Sequence, residues 1–186
     1  MEKLRGGTSV EIPVDGLKLN VGCGARVMDG WFNCDIQRNP NAPRAPELLC
    51  DAKAIPLPDG CANTLMAIHV FEHFYRWECD SVLLEWSRLL RQGGTLILEL
   101  PNLVKCCENY LSGRKRGGKD PDQLARWGIY GDPRTGDKFM CHPWGWSPDE
   151  LSALLRDHGF KKVAERQTQF HPAGREHRDM RLEAIK

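Results

Sequence analysis

No stretch of the sequence approaches the roughly 18 consecutive apolar residues that a membrane-spanning helix needs, so helical membrane spans are not expected. Neither sign of charge is in excess: 26 basic side chains face 25 acidic ones, for a net charge of +1. That balance speaks against non-specific nucleic-acid binding, which relies on a basic surplus to displace counterions from phosphates. It also speaks against a disordered charged tail. None of the eight cysteines forms a Cys-x-x-Cys pair, which removes the usual zinc and thioredoxin-like spacings. No apolar run follows the charged N-terminus, so the expectation is a cytoplasmic protein whose thiols are reduced. Most of those thiols should serve as small buried hydrophobes. Internal repeats and low-complexity tracts are absent as well.

What remains is ordinary globular material. The chain has 186 residues, 41% of them hydrophobic, with six Trp and six Phe to supply bulk. That is enough for one domain, residues 1–186, with its own core. Residues 1–16 are polar and broken by Gly and Pro, and read as a lead-in. Leu17-Lys18-Leu19-Asn20-Val21 alternates like a strand and stops at Gly22-Cys23-Gly24. Trp31 to Ile36 is a second short strand carrying Asp35 near its end, and Leu48 to Asp51 a third. The three prolines between Arg38 and Pro46 demand a loop. Thr64 to Ile68 is a buried strand, and Thr95 to Leu100 another. Between them Val82, Leu83, Trp86, Leu89 and Leu90 fall at helical spacing, with Gly93-Gly94 expected to end the helix. Ser147 is an N-cap followed by Pro148, Asp149 and Glu150. Strands follow at Phe160 to Val163 and Arg181 to Ile185. Strands alternating with helices predict an α/β sheet with helices on both faces. Residues 103–146 fit poorly and read as an insertion.

A strand, a Gly-x-Gly turn and a carboxylate ending the next strand make a nucleotide-cofactor layout. Glycines admit close backbone approach, and the acid accepts hydrogen bonds from ribose hydroxyls. The dinucleotide fingerprint is incomplete, since Val27 stands where its third glycine belongs and Asp35 comes too early. Leu19-Asn20-Val21-Gly22-Cys23-Gly24 instead resembles the first motif of class I S-adenosylmethionine-dependent methyltransferases. Asp51-Ala52 with Ile55 to Asp59, the Ile68 to Phe74 segment, Leu89 to Leu96, Pro101-Asn102 and Trp146 to Phe160 resemble later motifs, in order. The resemblance covers residues 17–102 and 146–186. It implies a Rossmann-like, mostly parallel sheet with an antiparallel last strand, and S-adenosyl-L-methionine as cofactor. It implies cofactor contacts at Gly22, Cys23, Gly24, Asp35, Ile36, Asp51, Ala52 and His69. One departure stands out: only ten residues separate Gly24 from Asp35, too few for the family's first helix plus a strand.

His69-Val70-Phe71-Glu72-His73 spells H-x-x-E-H, a metalloprotease pattern that must lie within a helix. Here it follows a strand, so no protease is expected. Some O-methyltransferases carry Glu-x-x-Glu-His at this place and bind magnesium, but the first glutamate is His69 here and no metal is expected. Glu72 and His73 are read as orienting a helix start. In the insertion, Lys105, Arg114, Lys115, Arg116 and Lys119 form a local basic excess. Trp127, Tyr130, Trp144 and Trp146 are candidate walls of an acceptor pocket. His142 is the first candidate for a general base and His73 the second catalytic candidate. The expected acceptor is a small molecule or a saccharide hydroxyl held by an acceptor-side lid, residues 103–146. The rivals are nucleic-acid methylation and a non-catalytic S-adenosylmethionine-binding module. The Asp/Asn-Pro-Pro-Tyr/Phe motif of base N-methyltransferases is absent.

Overall fold

In a computed structural model, alternating apolar residues build strands whose carboxyl ends meet at one edge of a sheet. The structure describes residues 2–3, 9–10, 16–113, 121–170 and 177–186. A two-stranded antiparallel pair, β1 (Glu2–Lys3) and β2 (Ser9–Val10), precedes the main sheet. That sheet contains β3 (Leu17–Val21), β4 (Phe32–Asp35), β5 (Leu48–Leu49), β6 (Ala62–Ile68), β7 (Leu90–Pro101), β8 (Lys161–Arg166) and β9 (Asp179–Ile185). Its order is β5-β4-β3-β6-β7-β9-β8. All neighbours run parallel except β9, which is antiparallel to both β7 and β8. The order therefore reverses direction between β3 and β6, and a ligand crevice is expected outside the strand ends there.

Leu19, Val21, Leu65, Ala67, Leu96, Leu98 and Leu182 form one continuous core with two helices. Helix α1 (Cys79–Leu89) contributes Val82, Leu83, Trp86 and Leu89, whose helical spacing places them on one stripe. The helix Pro148–Asp157 contributes Leu151, Leu154 and Leu155. Its start is fixed by a capping box in which Ser147 and Glu150 satisfy each other's backbone. Phe71 joins the two helical contributions, with its ring 5.7 Å from Trp86 and 5.5 Å from Trp146. Five of the eight cysteines are buried here and nearby as small apolar groups.

Three local features differ from the sequence reading or were not part of it. Gly93-Gly94 does not end α1: the helix stops at Leu89, and Leu90 is already extended. The glycines instead form an irregularity in β7, where pairing jumps from Ala62↔Leu90 to Thr64↔Thr95. Gly93 takes φ +75°, and a side chain on Gly94 would meet Arg91 O at 2.9 Å. Second, the insertion is substantially helical. Helices α2 (Leu103–Ser112), α3 (Pro121–Leu124) and α4 (Arg126–Tyr130) come before Pro148–Asp157, here α5. Asn102 caps α2, its Oδ1 accepting from Val104 N and Lys105 N. Third, Glu72 and His73 cap no helix. They sit in a single 3-10 turn, Phe71–His73, six residues before α1 begins.

The short link between Gly24 and Asp35 holds no helix, only turns that lead directly into β4 at Phe32. A buried amide network replaces it. Asn20 donates to Arg26 O at 2.8 Å and to Asn33 Oδ1 at 2.9 Å. Asn33 in turn accepts from Met28 N and donates to Glu47 Oε2 at 2.8 Å. The loop's polar backbone is thus satisfied by side chains where a helix would have satisfied itself.

Candidate active site

Backbone conformation shapes the first wall. Gly22, directly after β3, has φ +64°, and a Cβ there would lie 2.5 Å from Val70 Cγ2. Only glycine meets both demands. Gly24 has φ +54° with nothing within 4 Å of a Cβ position, so its outer side faces open space. Gly22→Ala should therefore lose about 2–4 kcal/mol of stability through strain and overpacking. Gly24→Ala, strained but unobstructed, should lose only about 1–2 kcal/mol. Urea denaturation of the two variants measures the difference.

The loop is tied to the next strand. Gly24 N donates to Asp35 Oδ2 at 2.7 Å, and Gln37 N donates to Asp35 Oδ1 at 3.1 Å. Each carboxylate oxygen keeps a lone pair for another donor. Ile36 follows with 61% of its surface exposed, an apolar side chain left uncovered at the same edge. Cys23 is buried between these groups; burial, then the Asp35 charge, pushes its thiol up to about 11, so it stays neutral. Beyond β5, Asp51 Oδ1 accepts from Lys53 N at 2.9 Å, a local turn. Ala52 O accepts from the Trp86 indole at 2.9 Å. Gly22, Cys23, Gly24, Asp35, Ile36, Asp51, Ala52 and His69 thus all follow or end β3 to β6 along one sheet edge.

His69 closes that edge. Its N–H continues the ladder to Glu99 O at 2.8 Å, while its φ of +54° is left-handed, a strained state for a side-chain-bearing residue. The ring lies between two carboxylates, with Nδ1 2.7 Å from Glu72 Oε1 and Nε2 3.3 Å from Asp179 Oδ2. Burial opposes a charge on this imidazole, but Glu72 and Asp179 outweigh it and raise its pKa. Glu72 is lowered in return: burial resists, and His69 prevails. Asp179 is itself held by Arg178 at 2.6 Å.

On the far side of Glu72 stand two more histidines. His73 Nδ1 is 2.9 Å from Cys141 O, and His142 Nδ1 is 3.0 Å from Gly128 O. Carbonyl oxygens only accept, so both Nδ1 atoms carry the hydrogen and both Nε2 atoms are bare in the neutral rings. Burial lowers the pKa of His142 further, against the pull of Glu72. The rings meet edge to face at 4.8 Å. Within the insertion, between α4 and residues 131–141, lies a cavity of about 510 Å³ lined by Trp127, Tyr130, Met140 and Cys141, with neither His73 nor His142 in its wall. That volume is in the range of small-ligand sites. Trp146, by contrast, packs in the core against Phe71.

Sequence reasoning brought His69, His73 and His142 to attention, and the structure gathers them around one carboxylate. It missed Asp179, an acid in a strand whose partner His69 lies 110 residues away. Lys105, read as part of a basic patch, donates to Asp179 O at 2.9 Å. Arg114 to Lys119 lie outside the described residues.

Residues 19–98 match a family model described as a methyltransferase domain. The same fold occurs in a solved SAM-dependent methyltransferase from Archaeoglobus fulgidus, at 15% identity and TM-score 0.61, covering 92% of this chain and 87% of that one. Residues 19–98 thus match a methyltransferase domain, and the sheet has the fold of solved S-adenosylmethionine-dependent methyltransferases. A possible histamine N-methyltransferase from Thermotoga maritima is similar to it at 16% identity and TM-score 0.58, over 94% of this chain and 84% of the other. So is 1,6-didemethyltoxoflavin-N1-methyltransferase from Burkholderia thailandensis, solved with 1,6-didemethyltoxoflavin and S-adenosylhomocysteine. It shares 13% identity and TM-score 0.57, over 91% of this chain and 70% of that one. No curated protein matches the sequence. Among the described residues, no helix is long and apolar enough to cross a membrane.

Proposed function

We propose that this methyltransferase moves the methyl group of S-adenosylmethionine onto a hydroxyl oxygen of a small molecule or saccharide. One observation carries the acceptor class: two imidazoles, His73 and His142, each anchored through Nδ1–H on a backbone carbonyl so that Nε2 is available, meet edge to face at 4.8 Å. Amines attack a methyl sulfonium through their own lone pair, whereas a hydroxyl must lose its proton as the oxygen–carbon bond forms and the sulfur–carbon bond breaks. Acceptor-side groups that manage a proton therefore suit an oxygen nucleophile. On this reading Gly22, Cys23, Gly24 and the His69 backbone hold the methionyl part, and Asp35 takes the ribose hydroxyls. Ile36, Asp51 and Ala52 flank the adenine, and residues 103–146 form a lid over the acceptor. The rest of catalysis is alignment for in-line attack.

Asp35→Ala should weaken S-adenosylmethionine binding roughly 30-fold, about 2 kcal/mol for lost hydrogen bonds to a charged acceptor. Asp35→Asn, which can still accept from Gly24 N, should lie between it and wild type; calorimetric titration reads both. The acceptor class is tested by incubating the protein and cofactor with separate pools of sugars, phenols, amines and RNA and measuring S-adenosylhomocysteine. Release with the hydroxyl pools is expected. Release with RNA alone, lost as salt is raised, would replace the proposal with a nucleic-acid acceptor.

A further inference from the structure

The Glu72 carboxylate poses a problem that methyl transfer by itself does not solve. It is 2% exposed, and its contact with His69 is an ion pair on one side only. Neither oxygen has a well-aligned hydrogen-bond partner among the described residues. A buried anion in that condition loses several kcal/mol of hydration without full compensation. His73 and His142 stand near the same carboxylate. His142 Nε2 is 4.0 Å from Glu72 Oε1, too far for a hydrogen bond. One donor atom from each of Glu72, His73 and His142 lies within 4.8 Å of the others.

Three features make this arrangement a ligand set rather than a chance cluster. Each histidine is fixed by Nδ1–H on a backbone carbonyl, the outer partner that commonly orients a metal-binding imidazole and leaves Nε2 free. The carboxylate has an outer partner as well, His69, which Asp179 and Arg178 hold from behind. The three residues sit beside the core: Glu72 and His73 in the 3-10 turn after β6 that carries buried Phe71, and His142 in the segment that leads to buried Trp146. Ligands about 2.1 Å from a tetrahedral ion stand roughly 3.4 Å apart. The cluster would contract by about 1 Å on loading, within the reach of side-chain rotation.

We propose that Glu72, His73 and His142 bind one divalent transition-metal ion. Two imidazoles and one carboxylate select a borderline ion such as Zn²⁺, Co²⁺, Fe²⁺ or Mn²⁺ over Mg²⁺ or Ca²⁺, which favour all-oxygen shells. Three protein ligands leave a coordination position open, as in catalytic rather than structural sites. The ion site stands on its own geometry. Its use, holding the acceptor hydroxyl at the open position and making it more acidic, rests on the methyl-transfer reading above. His142 and His73 would then hold the ion, and the acidified hydroxyl proton would pass to solvent as the oxygen–carbon bond forms and the sulfur–carbon bond breaks. The first glutamate of the magnesium-type pattern is not missed: His69 stands behind Glu72 as its partner, and His142 supplies the third ligand from the insertion.

The test is a Co²⁺ titration of the full, chelator-stripped protein followed by visible ligand-field absorption, with S-adenosylmethionine affinity measured in parallel. One Co²⁺ per chain, displaced by one equivalent of Zn²⁺, is expected. His142→Ala and Glu72→Gln should each weaken Co²⁺ binding by more than about 100-fold while circular dichroism shows the fold retained; His73→Ala serves if either variant does not fold. Cys141→Ser and Cys107→Ser, which remove the exposed thiols, should leave the spectrum unchanged. Absence of stoichiometric binding, indifference to His142→Ala, or loss in Cys141→Ser would overturn the site. Cofactor binding that persists in the stripped protein separates the two readings. Failure of Co²⁺ binding alone removes the ion, and failure of cofactor binding alone removes methyl transfer.

Discussion

Replacing His142 by alanine is expected to reduce turnover on a hydroxyl acceptor by about 10²–10⁴-fold while leaving S-adenosylmethionine affinity unchanged. The size follows from what proton management contributes to a reaction of this kind, and the selectivity follows from position. His142 belongs to the segment after α4, with its N–H on Tyr130 O and its Nδ1 on Gly128 O. The edge proposed for the cofactor is built instead from the ends of β3 to β6. The removed ring is 7% exposed and touches His73 rather than the main core, so the fold should survive. Comparing S-adenosylhomocysteine release with calorimetric cofactor affinity measures the split. Equal loss of both would return His142 to a structural role.

The second large effect is on stability. Glu99 is fully buried in β7, where it accepts from Gln169 N at 3.0 Å, from Phe170 N at 3.1 Å and from Arg181 at 3.5 Å. It pins the chain after β8 to the carboxyl end of the central sheet, beside His69. Glu99→Ala leaves Arg181 without one of its two carboxylates and frees two backbone donors, for a loss of about 3–5 kcal/mol. Replacing both Glu99 and Arg181 by methionine should recover much of that, since a buried pair exchanged for apolar volume is often neutral. Urea denaturation of the single and double variants gives the coupling directly.

The residues proposed for the cofactor lie along one sheet edge, and their signals in the sequence are local. Gly22-Cys23-Gly24 follows its strand immediately, and Asp35 ends the next one. The missing first helix was legible as well, as a plain count of residues, though not the Asn20–Asn33–Glu47 network that replaces it. Other features depend on partners far along the chain. Glu72 was read as orienting a helix start because, although His69 is only three residues away, nothing near it in sequence reveals that His142 from the insertion faces the same carboxylate. Gly93-Gly94 looked like a helix stop because that is their commonest use, yet Leu90 had already turned extended to pair with Ala62. In the insertion, Asn102 was a sound cap signal for α2, obscured by the basic and glycine-rich residues that follow.

The account depends on the strand-end crevice of β3, β4 and β6 accepting an adenosyl sulfonium and not a pyrophosphate. Calorimetric titration of the full chain with S-adenosylmethionine, S-adenosylhomocysteine and NAD tests this most directly. One site per chain for each of the first two, mutually competitive, with no heat from NAD, is the predicted result. Binding of NAD at equal strength, or no binding of S-adenosylmethionine, would contradict it.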